Sequence, residues 1–251
     1  MTSTPPRQLV LDLPLRSASG IEDFFVSLSN RAAVELIDSW PHWPHWAALV
    51  VGPEGSGKSH LGHVWQTASG AAVLAASALD ETALDRLRQD RALLIEDIDR
   101  GIADDRLLFH LLNLAREHKL TILMTARRPP GELDIALPDL RSRLRAVPLI
   151  PIDPPDEPLI KAVLVKLFAD RQLSVEPHVV NFIALRLERS MAAVNAIVER
   201  LDREALATRR RVTRALAADV LDVGAVEDDE LAIGSGDGAG EDLGTRRKTA
   251  E

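Results

Sequence analysis

Apolar positions along this chain follow two regimes. Between residues 47 and 150, short unbroken apolar runs alternate with longer segments in which apolar residues recur every three or four positions. The runs are Ala47–Val51, Ala71–Ala75, Ala92–Ile95, Thr121–Thr125 and Ala146–Ile150. Runs this short, bounded by turn residues, predict strands of a parallel sheet covered on both faces. The intervening segments predict helices: Glu81–Arg88 is one, and Leu107, Leu108, Leu111, Leu112 and Ala115 form the wide apolar face of the next. Ahead of the first run, Ile21–Val26 leads into a helix at Asn30–Ser39 with Ala33, Leu36 and Ile37 on one face. The alternation predicts an α/β fold, a parallel sheet with helices on both faces.

The second regime begins after Pro151-Ile152-Asp153-Pro154-Pro155, which breaks the pattern and predicts a hinge. Beyond it the periodicity is helical only, over Glu157–Arg171, Pro177–Leu187, Ser190–Ala207 and Thr213–Val223. Pro158 stands in a first helical turn, where proline is tolerated. The expected organisation is an N-terminal segment 1–19, an α/β base 20–153, a small all-α lid 154–223 and a tail 224–251. Trp40, Trp43 and Trp46, interleaved with Pro41, His42, Pro44 and His45, predict a compact loop packed on the edge of the base.

Composition narrows the function classes. The chain has 251 residues, 46% of them hydrophobic, and no cysteine, so disulfides and thiolate metal sites are excluded. The pairs His42/His45 and His60/His63 lack a convincing third ligand, which argues against zinc. No apolar run is long enough to span a bilayer and no signal-like segment leads the chain, so a cytoplasmic protein without a membrane partner is expected. The net charge of −8 is uneven: residues 224–251 hold eight acidic and three basic side chains with six of the fourteen glycines, leaving the rest about −3. That body is too nearly neutral for a general DNA binder, and the tail is expected to be disordered.

The chemistry centres on Gly52-Pro53-Glu54-Gly55-Ser56-Gly57-Lys58-Ser59, which fits G-x-x-x-x-G-K-[ST] between a predicted strand and a predicted helix. Glycines let backbone N–H groups converge on an anion, and the following helix adds the positive end of its dipole. The expected ligand is ADP or ATP with Mg²⁺, Lys58 reaching the outer phosphates and Ser59 the metal. Glu96 and Asp97, at the end of a buried run, fit the second half of such a site: one acid for Mg²⁺, the other to orient an attacking water.

Several segments together resemble AAA+ proteins, and within them the DnaA-related regulators of the Hda and HdaA kind. They are G-P-E-G-S-G-K-S-H-L at 52–61, L-L-I-E-D-I-D at 93–99, M-T-A-R-R-P-P at 124–130, L-P-D-L-R-S-R-L at 137–144 and L-E-R-S-M-A-A-V at 187–194. By position, the resemblance implies that residues 52–60, including His60, bind nucleotide, that Ser59 and Glu96 serve the metal, and that Asp97 and Thr125, the latter in the sensor I segment, serve catalysis. It further implies that Arg143 is an arginine finger offered to a neighbour's nucleotide and Arg189 the sensor II arginine of the lid. Two departures bear on the chain's own ATP turnover: Glu96 stands where DnaA usually has aspartate, and Ala126 and Arg127 replace a polar pair. Any ATPase activity of its own is therefore expected to be weak.

Gln8-Leu9-Val10-Leu11-Asp12-Leu13 precedes the base. As residues alone it reads either as an edge strand or as a short linear motif. It resembles the Q-L-x-L-x-L peptide that bacterial replication proteins insert into the sliding clamp, with Gln8, Leu9, Leu11 and Leu13 as the docking residues, and it stands where Hda carries that motif. The implied partners are DnaA and the DNA polymerase III sliding clamp (beta subunit), with homo-oligomerisation left open. The implied function is negative regulation of DNA replication initiation by promoting hydrolysis of DnaA-bound ATP. The acidic stretch after the lid, where DnaA continues into a helix-turn-helix domain, implies no direct sequence-specific DNA binding. Two other readings stand beside this one: an ATP-dependent helicase loader or remodeller, and a nucleic-acid adaptor using Arg209, Arg210, Arg211 and Arg214.

Overall fold

The computed structural model describes the backbone of residues 15–18, 21–208 and 210–222, with side chains from residue 25 onward. The segment Gln8–Leu13 and the tail 224–251 lie outside the described residues. The described chain opens with an antiparallel hairpin, β1 (Leu15–Ala18) and β2 (Ile21–Phe25). The sequence reading had this stretch only as a lead into helix α1 (Arg31–Ser39). Its cross-strand pairing depends on a partner that helical or strand periodicity does not reveal.

A five-stranded sheet follows, in the order β4 (Ala72–Ala75), β5 (Ala92–Glu96), β6 (Thr121–Ala126), β3 (Ala47–Val51), β7 (Leu149–Pro151). Every neighbouring pair is parallel. Side chains alternate between the two faces. Ala47, Leu49, Leu93, Ile95, Ile122 and Met124 join a core that includes Leu87, Leu108, Leu112 and Leu140. Those four come from α3 (Thr82–Asp90), α4 (Asp105–His118) and α5 (Pro138–Arg145). Ala48, Val50, Leu94 and Leu123 face the other way, against Ala33 and Ile37 of α1 and Leu61 and Trp65 of α2 (Lys58–Ser69). This two-sided burial is why the runs are apolar at every position. Trp43 stacks on Trp65 with centroids 5.4 Å apart and donates its indole N–H to Leu36 O at 2.7 Å, which fixes the tryptophan loop to this second face.

The largest departures from the sequence reading within the base lie at its end. The basic segment 138–144 is a helix, α5, entered through Pro138. Its last turn takes up Ala146 and Val147, whose N–H groups donate to Arg143 O and Leu144 O, so the final strand begins at Leu149 rather than Ala146. After β7 the described residues form helices: α6 (Glu157–Asp170), capped by Asp156 Oδ1 on the Leu159 N–H, α7 (Pro177–Ala184), α8 (Met191–Thr208) and α9 over residues 214–222. They enclose a separate core built around Leu164, Phe168, Ile183, Val194, Val198 and Leu201. Among the described residues no helix is long and apolar enough to cross a membrane.

Leu94 is fully buried in the middle of the sheet, and a methyl group placed on Gly62 of α2 would approach its Cδ2 to 3.0 Å. A cavity there has little room to collapse. Leu94→Ala is expected to lower the unfolding free energy by about 2–5 kcal/mol in urea titration; a loss below about 1 kcal/mol would contradict this packing.

Candidate nucleotide site

The parallel sheet brings the carboxyl ends of β3, β6 and β5 side by side, the edge at which open α/β sheets bind ligands. The loop after β3 requires its glycines for separate reasons. A Cβ on Gly52 would lie 2.2 Å from Ile152 O, because the chain leaving β7 passes directly over the loop. Gly55 and Gly57 have φ of +71° and +99°, in the left-handed region that glycine enters without steric cost. Gly57 then caps α2, whose first residue is Lys58.

Lys58 is only 7% exposed, and its ammonium donates to Gly52 O at 2.8 Å and Pro53 O at 2.7 Å. Burial lowers its pKa most, and the opposing fields of Asp97 and Asp99 pull it back up, with smaller effects from Arg127 and Glu54. Ser56 Oγ and Glu96 Oε1 are buried without a hydrogen-bond partner. Buried polar atoms are otherwise almost always satisfied, so these two atoms, together with the glycine-lined loop, fit a polar ligand bound here. Ser59 and His60 are exposed at the start of α2, and His63 Nδ1 lies 2.7 Å from Ser59 O.

The acidic turn is fixed by the neighbouring strand. Thr125, 1% exposed, accepts the Asp97 N–H on its Oγ1 at 3.0 Å and so holds Asp97 in a left-handed conformation with φ of 57°. Two residues on, the Asp99 carboxylate receives the backbone N–H of Arg127 at 3.0 Å and its Nε at 2.9 Å. Burial alone would raise the Asp99 pKa; the hydrogen bonds and charge of Arg127 outweigh it and hold the carboxyl below its ordinary value. Sequence reasoning placed neither Asp99 nor Arg127 in the site. The register of β5 on β6, with Ile95 opposite Met124, is what puts these two turns together.

The lid closes over the loop. Met191 N–H donates to Gly55 O at 2.8 Å, and Ser190 stands so near that a Cβ on Gly55 would meet its Cβ at 2.6 Å. Ser190 Oγ in turn accepts the Ala193 N–H at the start of α8. Arg189 is exposed on the turn just before it. Between loop and lid lies a cavity of about 260 Å³ whose walls include Ser56, Gly57 and His60 from the base and Leu159, Val163 and Met191 from the lid. Phe25, Asn30, Lys166, Leu167 and Asn195 complete it, and of the whole lining only Ser56, Gly57 and His60 were legible as site residues in the sequence. His60 stands at its mouth; loss of solvent there, with help from His63 and Lys166, lowers its pKa.

Arg143 lies elsewhere, on α5, where Asn113 Oδ1 of α4 accepts its Nη2 at 2.7 Å and its guanidinium sits 5.8 Å from the Phe109 ring centroid. It is partly exposed, beside a surface depression lined also by Asp139, Ser142 and Ala146. Gln8, Leu9, Leu11 and Leu13 are outside the described residues.

Residues 158–221 match the family described as "Hda, lid domain". The chromosomal replication initiator protein DnaA of Cutibacterium acnes is 27% identical, with 80% of this chain and 45% of that protein aligned; the chain thus spans about half the length of this curated relative. Among solved structures, domain III of the Thermotoga maritima replication initiation protein DnaA superposes with a TM-score of 0.62 at 22% identity, covering 79% of this chain and 93% of that one. AMPPCP-bound DnaA from Aquifex aeolicus gives 0.59 at 17% identity, covering 71% and 63%. The RuvB Holliday junction branch migration motor of Thermotoga maritima gives 0.60 at 17%, covering 77% and 67%. The fold, a parallel α/β base followed by a helical lid, is the one these structures share, and the loop after β3 carries the phosphate-loop pattern. The chain is similar to DnaA, and residues 158–221 match the Hda lid family.

The Asp99–Arg127 contact makes a pH prediction. Because the folded pKa of Asp99 is depressed, its contribution to stability is complete above the unfolded value of about 3.9 and is lost as pH falls through the folded value. Acid titration of stability should therefore show a falling limb below about pH 4 that is shallower in Asp99→Asn. An identical limb in both proteins would contradict the pairing.

Proposed function

We propose that this protein is a cytoplasmic regulator of replication initiation that binds an adenine nucleotide, docks on the sliding clamp through Gln8, Leu9, Leu11 and Leu13, and promotes hydrolysis of ATP held by DnaA. The observation that carries the reading is a phosphate loop closed by a lid of the Hda kind; Arg143, on α5 and outside the lining of the loop–lid cavity, would then serve a nucleotide held by another molecule.

Within the chain's own site, Gly52–Gly57 would cradle phosphates with backbone N–H groups, and Lys58 would leave its loop carbonyls to donate to the outer phosphates. Pro53 and Glu54 shape the loop tip, His60 lines the cavity from the base, and Arg189, exposed on the turn before α8, would reach the nucleotide from the lid. Ser59 directly, and Glu96 through water, would hold Mg²⁺, which neutralises phosphate charge when bound. Thr125 acts as a positioning residue, holding Asp97 by its backbone N–H. Asp97 is the acid available to orient a water. Glu96, one methylene longer than aspartate, leaves the chain's own ATP turnover slow.

Toward DnaA, an arginine delivered in trans stabilises charge on the transferring phosphoryl group and accelerates hydrolysis by about 10³–10⁵. The test is hydrolysis of DnaA-bound ATP in the presence of clamp loaded on DNA. Wild type should stimulate it. Arg143→Ala should lose stimulation by a factor on the order of 10³ while still binding nucleotide, and Gln8→Ala/Leu11→Ala should lose the dependence on clamp. No stimulation by wild type would overturn the reading and favour a loader whose own turnover is the purpose.

A further inference from the structure

Glu54, at the tip of the phosphate loop, is bracketed by two arginines. Arg127 Nη1 lies 3.3 Å from its Oε2 and Arg100 Nη2 lies 3.8 Å from its Oε1. Both arginines are tethered from behind by the acidic turn, Arg127 Nε to Asp99 Oδ2 at 2.9 Å and Arg100 Nε to Asp97 Oδ2 at 3.4 Å. Two guanidinium groups anchored on one element thus converge on one carboxylate of another. Charge-assisted hydrogen bonds are normally about 2.7–2.9 Å; only Arg127 to Asp99 reaches that range.

The burial of the two acids decides which contact can open. The Asp99 side chain is fully buried, whereas that of Glu54 is 74% exposed. Removing Arg127 from Asp99 would strand a buried charge. Releasing Glu54 returns a carboxylate to water, and exposed ion pairs hold weakly. Glu54, Asp97, Asp99 and Arg127 also all act on the charge of Lys58, so the latch stands within electrostatic reach of the phosphate-binding amine.

We infer that Glu54 is a built-in anion that competes with the terminal phosphate of a nucleoside triphosphate for Arg127 and Arg100, so that this latch sets the discrimination between triphosphate and diphosphate. The inference rests on the nucleotide reading of the loop. In the latched state the carboxylate holds both arginines and adds its negative charge at the loop tip. A third phosphate, carrying more charge and more acceptor oxygens than a carboxylate, displaces Glu54, while Arg127 stays on Asp99. A diphosphate leaves the latch in place.

The test is equilibrium binding of ADP and of a non-hydrolysable ATP analogue, both with Mg²⁺, to wild type, Glu54→Gln and Arg127→Ala, read as the ratio of the two dissociation constants. Glu54→Gln should favour the triphosphate by about tenfold and Arg127→Ala should disfavour it by about tenfold, the scale of one hydrogen bond to a charged group. If Arg127→Ala does not fold, Arg127→Ala/Asp99→Asn, which also removes the stranded charge, replaces it. A ratio within about twofold of wild type in both variants overturns the latch and leaves the nucleotide site standing. Failure of wild type to bind either nucleotide overturns the site and the latch together.

Discussion

The carbonyl of Gly55 accepts a hydrogen bond from the Met191 N–H, and the geometry of the whole site depends on that contact between loop and lid. It is available because Gly55 turns through a left-handed conformation and has no β-carbon, so Ser190 can rest directly on it. The lid helices have a core of their own, and this contact ties their α8 end to the base. The cavity between loop and lid exists because of the same approach. Its lining sets Ser56, Gly57 and His60 of the base against Leu159, Val163, Leu167 and Met191 of the lid, with Lys166 and Asn195 adding polar groups on the lid side. That is the arrangement suited to a ligand with a charged end and a flat, weakly polar body.

Electrostatics then organise the loop from the opposite side. A buried ammonium and a buried carboxylate stand in the same small volume, and each is costly unless paired. Asp99 is satisfied by Arg127, and Lys58 by the carbonyls of its own loop. The two solutions differ in permanence. Asp99 and Arg127 are joined by two hydrogen bonds, one of them from the backbone, so that pair is part of the fold. Lys58 is bonded only to carbonyls that a phosphate can replace as its partner, so it is free to serve a ligand without leaving any buried charge unpaired.

Much of this was legible in the sequence, for reasons that can be stated. The runs at 47–51 and 92–95 read as strands because both faces of the sheet are covered, which makes every position apolar. The phosphate loop was legible because its requirements are local: left-handed glycines, then a lysine opening a helix. The partnership of Asp99 with Arg127 was not, since it arises from strand register between segments 28 residues apart. Arg127 stood out only as a departure from the family pattern, without a hint of what it would bind. Phe25, Asn30, Lys166 and Asn195 were invisible for the same reason: each is ordinary in its own element and becomes part of a cavity wall only when the lid folds back. The hairpin β1–β2 was missed because nothing local distinguishes a paired strand from a lead-in.

The most direct test of the account is the melting temperature of the protein with and without ADP and Mg²⁺, in wild type and in Lys58→Ala. A ligand that binds only the folded form at 100 times its dissociation constant stabilises it by about 2.7 kcal/mol. The account predicts a rise of several degrees in wild type that is largely lost in Lys58→Ala. An unshifted wild type, or an equal shift in both proteins, would contradict a nucleotide held by this loop.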